Sequence, residues 1–183
     1  ILYFQMFDTV LWYFTDYVDM TPINNLVNGL LSVFIANPNW KFDAEHVTVI
    51  NAGTIILLQI LVSNIVKNKK ALPTMIGGIG LGTIGMGILA ISTHPLVFML
   101  GIIIFSIGEM TAHPKFISYV GLIAPEDKKA LYLGYSFLYG VIGSGIGGIL
   151  GANLYVYFVD TLKQPGTLWF IFSMIGVLTI IGL

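Results

Sequence analysis

The chain has 183 residues, 56% of them hydrophobic and 9% charged, with a formal net charge of -1. Soluble domains carry about 25% charge, so the polar surface needed to cover a globule in water is missing, and the charge balance gives no support to a nucleic-acid or other polyanionic partner. All eight basic residues are lysine, which leaves no bidentate guanidinium clamp for phosphate, and the absence of cysteine excludes disulfides, thiolate chemistry and cysteine-ligated metals.

Crossing the ~30 Å hydrocarbon layer takes roughly 20 apolar residues in a helix. Six segments meet or approach that length: about 1–18, 47–66, 72–93, 96–123, 130–158 and 167–183. The predicted fold class is an all-α membrane protein, one six-helix transmembrane bundle over 1–183. Ile1–Phe7 and Phe170–Leu183 are apolar up to the termini, the pattern of a piece of a longer chain or of its ordered part.

In chain order, the first span carries the carboxylate Asp8 in its interior. The stretch at about 19–46 reads as an extracytoplasmic loop: Pro22, Asn24, Asn25, Asn37, Pro38 and Asn39 surround an apolar Leu30–Ile35, too short to span and expected at the interface. The second span holds Asn51 near its start and Gln59 two turns on. A compact lysine loop, Lys67-Asn68-Lys69-Lys70, leads to the glycine-rich third span with Gly78 and Gly82 four apart. After a His94-Pro95 turn, the fourth span contains Glu109, His113, Pro114 and Lys115. Glu126-Asp127-Lys128-Lys129 precedes the fifth span, where Gly143, Gly147 and Gly151 repeat the four-residue spacing.

Five lysines lie in the two compact loops, against Lys41 and Lys163 in the opposite set. The positive-inside rule therefore places the compact loops in the cytoplasm. Small residues four apart let helix backbones approach closely in lipid; they serve equally as packing grooves or as smooth contacts over which helices slide.

A carboxylate near the bilayer centre is costly and calls for a reason. Glu109, mid-span, reads as a substrate or proton site, with interhelical bonding as the alternative. Asp8 divides evenly between the two. Lys115 lies about 9 Å further along the axis and reads as an anchor that snorkels to the interface or as a partner for a carboxylate. Pro114 frees the carbonyl of Met110, and His113 beside it is either a proton relay or a packing residue. Enzyme signals are missing: His46, His94 and His113 do not form a metal set, no serine sits in a nucleophile elbow, and Gly77-Gly78-Ile79-Gly80 has no basic neighbour with which to cradle a phosphate. No catalytic residue and no cofactor are expected.

At the fourth and fifth spans the chain resembles the C-terminal half of the major facilitator superfamily, and within it the proton-dependent oligopeptide transporters. Gly108-Glu109-Met110-Thr111-Ala112-His113-Pro114 is similar to that family's helix-ten pattern of Gly-Glu-Leu, three residues and Pro. Val120-Gly121-Leu122-Ile123-Ala124-Pro125 resembles its run into the cytoplasmic loop, Leu133-Gly134-Tyr135-Ser136-Phe137-Leu138 its helix-eleven segment, and Ile50-Asn51-Ala52 its helix-eight opening. The chain departs from the pattern at His113 (usually Ser), Ala52 (usually Pro) and Tyr135 (usually Trp). The resemblance implies helices seven to twelve of a multi-pass transporter of the cell (inner) membrane. It implies substrate binding by Glu109, Asn51 and Tyr135, with Glu109 receiving a peptide amino terminus. Proton-coupling candidates are Glu109, Asp8 and His113. The partners implied are the lipid bilayer, a peptide or other small solute with protons, and the N-terminal half of the same transporter. A facilitator for another solute, such as a sugar or drug, and a non-transporting membrane scaffold remain as alternatives.

Overall fold

The computed structural model describes all residues, 1–183, and the chain is entirely helical. Its helices are α1 (Leu2–Gln5), α2 (Thr9–Tyr17), α3 (Thr21–Leu31), α4 (Ala44–Val66), α5 (Ala71–Leu89), α6 (Pro95–Ile123), α7 (Lys129–Ser136), α8 (Leu138–Leu154) and α9 (Pro165–Gly182). A 3-10 turn, Glu126–Lys128, leads into α7, and a π-helical turn, Tyr155–Thr161, extends α8. Five stretches are long and apolar enough to cross a bilayer: α4, α5, α6, the continuous run Glu126–Thr161, and α9. This is a multi-pass membrane protein.

The segment at about 1–18, expected as one span, is two shorter helices. Around Met6–Asp8 the amides reach back only three residues, with Asp8 N bonding Gln5 O at 3.3 Å, and Asp8 itself leaves helical geometry (φ -121°, ψ -93°). Backbone freed inside a membrane survives where protein covers it, and Gln5, Met6, Thr9 and Val10 are all fully buried. Gln5 Nε2 donates to Gly147 O at 2.9 Å and Thr9 Oγ1 donates to Gln5 Oε1 at 2.8 Å, so the break is stitched to the glycine face of α8.

α5 packs along α6 on one face and α9 on another, and α4 lies against α6. The α5–α6 contact is close because it is made by glycine. A Cβ built on Gly78 would stand 2.6 Å from Ala112 N, one on Gly85 2.6 Å from Phe105 N, and one on Gly108 2.6 Å from Gly78 O. Each clash is with backbone, so no rotamer relieves it. Gly143, Gly147 and Gly151 make room for the side chains of Phe4, Gln5 and Thr9, so that side-chain atoms and not backbone stand nearest there. An aromatic core of Tyr13, Phe14, Phe98, Trp169 and Phe172 joins α2, α6 and α9.

The connections are capped by their own side chains. His94 Nδ1 accepts from Leu96 N at the start of α6, with Pro95 next to it. Asp43 and His46 form a capping box at the start of α4, with the His46 ring nitrogen 2.6 Å from Asp43 Oδ1. That hydrogen bond holds the Asp43 carboxyl below its ordinary value.

Candidate functional site

The chemistry-bearing residues gather on one stripe of α6. Ser106, Glu109 and His113 are spaced by three and four residues, so they share a helix face. Gly108, a third of a turn away, meets α5, which fixes the rotation of α6 and points Glu109 at α4. There Asn51, buried in the first half of α4, donates through Nδ2 to Ser106 Oγ at 2.9 Å and to Glu109 Oε2 at 3.2 Å. Ser106, fully buried, returns its own hydroxyl to Ile102 O at 2.8 Å. The Asn51 side chain thus joins α4 to the Glu109 carboxylate, bringing together two of the residues singled out in the sequence.

One turn along α6, His113 Nδ1 lies 2.9 Å from the hydroxyl of Tyr139 on α8. The Tyr139 ring stands edge-on to Phe116 at 5.1 Å. α4 meets this stripe of α6 at Glu109 and α8 meets it at His113.

What Glu109 lacks is a cation. The His46–Asp43 contact is the single one in the chain at ion-pair distance, and no lysine bonds Glu109. Lys115 is committed elsewhere: its Nζ donates to Lys69 O at 2.8 Å and Lys67 O at 3.4 Å, capping the C-terminal end of α4 and the loop after it. Asn51 occupies Oε2; Oε1 has no partner and is not sealed from its surroundings. A half-buried carboxylate with one oxygen held and one accessible can accept a proton or an ammonium group.

The other candidates lie apart from this network. Tyr135 is 61% exposed on α7 and makes no hydrogen bond or ring contact with it. Asp8 sits at the α1–α2 break, where its side chain caps nothing and its carbonyl accepts from Leu11 and Trp12. Gln59 is exposed on α4 without a partner. Sequence reasoning missed Ser106 and Tyr139. Ser106, three residues before Glu109 on the same face, was legible by helical spacing; Tyr139 was not, since tertiary packing brings it in. It also missed Asp16, whose Oδ2 accepts from the Tyr155 hydroxyl at 2.6 Å and ties α2 to the π-helical turn.

No family model, no curated protein and no solved structure matches the chain.

Proposed function

We propose that the chain is the six-helix C-terminal half of a major facilitator transporter that couples proton movement to uptake of di- and tripeptides or related amine-bearing solutes across the cell membrane. The observation that carries this reading is Glu109: a half-buried carboxylate midway along the longest single helix, braced by Asn51 and without a cationic partner in its own chain. A charge so placed is expensive unless function uses it. Secondary transporters bind substrate near the midplane at the junction of two repeats, and the accessible Oε1 suits a substrate ammonium or a proton in turn. Glu109 is the amine receptor and proton site, Asn51 its support, and Tyr135 a pocket wall completed by the N-terminal half. A second reading, Glu109 as an interhelical bond in a scaffold, draws on the same Asn51 contact.

Uptake separates them. The intact protein in liposomes, with a proton gradient imposed, is expected to accumulate di- or tripeptides, and Glu109→Gln is expected to fold. Glutamine keeps the shape and the bond to Asn51. Affinity for substrates with a free amino terminus should fall by about 1–3 kcal/mol, the range of a charge-assisted hydrogen bond, while N-blocked substrates lose much less. Unchanged affinity for both removes the amine-receptor role; a variant that fails to fold favours the scaffold.

A further inference from the structure

Between α2 and α4 the chain forms a helical hairpin that is ordered by its own hydrogen bonds. Asp19 Oδ1 accepts from Thr21 N at 2.9 Å and Thr21 Oγ1 at 2.6 Å, and Pro22 follows, so α3 begins there. After α3 ends at Leu31, Asn37 takes a left-handed conformation (φ 53°) and turns the chain back. The returning strand is pinned by two asparagines of α3. Asn28 donates to Trp40 O and accepts from Trp40 N, both at 2.8 Å, and Asn24 accepts from Phe42 N at 2.8 Å. At the base, the Phe42 ring meets Phe14 of α2 at 5.4 Å and His46 of α4 at 5.2 Å.

The hairpin is amphipathic in the inverted sense. Asn24 and Asn28 turn inward to the returning segment, while the exposed side carries Leu26 and Leu30 (61% and 64% exposed) beside Asn25, and at the tip Val33, Phe34 and Ile35 are 76%, 85% and 53% exposed. Between Asp19 and Lys41 there is no charged residue. A loop built for water carries charge at its tip, and contiguous exposed apolar surface marks a contact.

We propose that this hairpin is an interfacial anchor, with Leu30, Val33, Phe34 and Ile35 seated at the boundary between headgroups and acyl chains, and that it recognises lipid by apolar burial with no demand for headgroup charge. Two features commit it to lipid. Its base is continuous with the ends of α2 and α4 on the side opposite Lys67–Lys70, so it starts at the membrane surface. Its arm is short: at 1.5 Å per residue, α3 carries the tip only about 16 Å from Thr21, and with α3 lying along the surface the tip stays in the interfacial layer of about 5–7 Å on each side of the hydrocarbon. The absence of charge matches a neutral bilayer, where a basic amphipathic helix would need anionic lipid.

The test uses the intact protein in phosphatidylcholine vesicles, with Phe34→Cys carrying an environment-sensitive fluorophore and Asn39→Cys as the reference on the return strand. The expected result is blue-shifted emission at position 34, with a larger loss of intensity than at position 39 when the lipid is replaced by its brominated analogue. Phe34→Trp, read as a difference from the parent protein, gives the same quenching measurement should the labelled cysteine fail to assemble. Water-like emission at position 34 overturns the proposal. Blue-shifted emission that brominated lipid leaves unquenched also overturns it, since the tip is then covered by protein. A shift that appears only with anionic lipid overturns the charge-free recognition.

Discussion

Gly77 and Gly78 are consecutive residues of one helix and should respond to alanine in opposite directions. At Gly78 an added methyl would lie 2.6 Å from Ala112 N and 2.9 Å from both Cα and Cβ of Ala112, while at Gly77 nothing stands within 4 Å. Ordinary contacts begin near 3.4 Å, so Gly78→Ala must drive α5 and α6 apart by nearly an ångström along that line. Overpacking of this kind costs about 1–3 kcal/mol. It is not relieved by side-chain rotation, because the obstacle is the backbone of α6. Gly77→Ala meets no obstacle and gains helix propensity, up to about 1 kcal/mol, less where the denatured state in detergent keeps its helices. Unfolding of the intact protein titrated with SDS in mixed micelles, followed by tryptophan fluorescence, reads both. The expectation is an earlier midpoint for Gly78→Ala and an unchanged or later one for Gly77→Ala. Equal midpoints would refute the claim that glycine is required at the α5–α6 contact, and with it the account of how Gly108 orients Glu109.

Three further outcomes are expected. Tyr139→Phe removes the hydroxyl that faces His113 but keeps the ring on Phe116. It should cost at most about 1.5 kcal/mol of stability and slow proton-driven uptake while sparing substrate counterflow; an equal effect on both, or on neither, counts against a relay through His113. Single cysteines at Lys69 and Lys128 should react with an impermeant reagent only from the cytoplasmic side, and those at Asn37 and Lys163 only from outside; labelling of position 69 from outside reverses the topology. The Asp43 carboxyl titrates below its unfolded value, so its cap stabilises α4 fully above the ordinary carboxylate pKa of about 3.9. The cap is then lost as pH falls through the depressed folded value. The protection of the His46 amide, taken relative to its intrinsic exchange rate at each pH, should fall on acidification in the parent protein, and in Asp43→Asn that fall should be absent.

The spans that the sequence made legible are those where apolar character runs unbroken. α4, α5, α6 and α9 fall within a few residues of their expected limits because length and composition decide them. The fifth was expected at about 130–158 and runs on to Thr161, because its last turns adopt π geometry, with Leu162 N bonding Tyr157 O. The division of the first segment was not legible. Hydropathy reads Ile1–Val18 as one run, and what compensates the break, Gln5 on Gly147 O, lies 142 residues away. The loop at about 19–46 was legible as polar with an apolar centre, but not as a helix clasped by Asn24 and Asn28, since that fit requires the turn at Asn37 to bring Trp40 and Phe42 back.

The candidate site divides along the same line. Helical spacing places Ser106, Glu109 and His113 on one face without any structure, but it is silent on what faces them. Asn51 is 58 residues from Glu109 and Tyr139 is 26 from His113, and only helix packing brings them together. Lys115 shows the consequence most plainly. From the sequence it is the one lysine within two turns of Glu109 and reads as an interfacial anchor, with pairing to a carboxylate as the alternative. In the fold it points about 240° around the helix from Glu109, since six residues at about 100° each amount to about 600°, and its ammonium is spent on the carbonyls of Lys67 and Lys69. The chain therefore contains the cation that would neutralise Glu109 and uses it to cap α4 instead. A carboxylate left without its nearest available partner, while Asn51 and Ser106 are positioned to support it, must draw its counter-charge from a proton, a solute or another protein surface, and that requirement is what makes an amine-bearing, proton-coupled substrate the reading to test first.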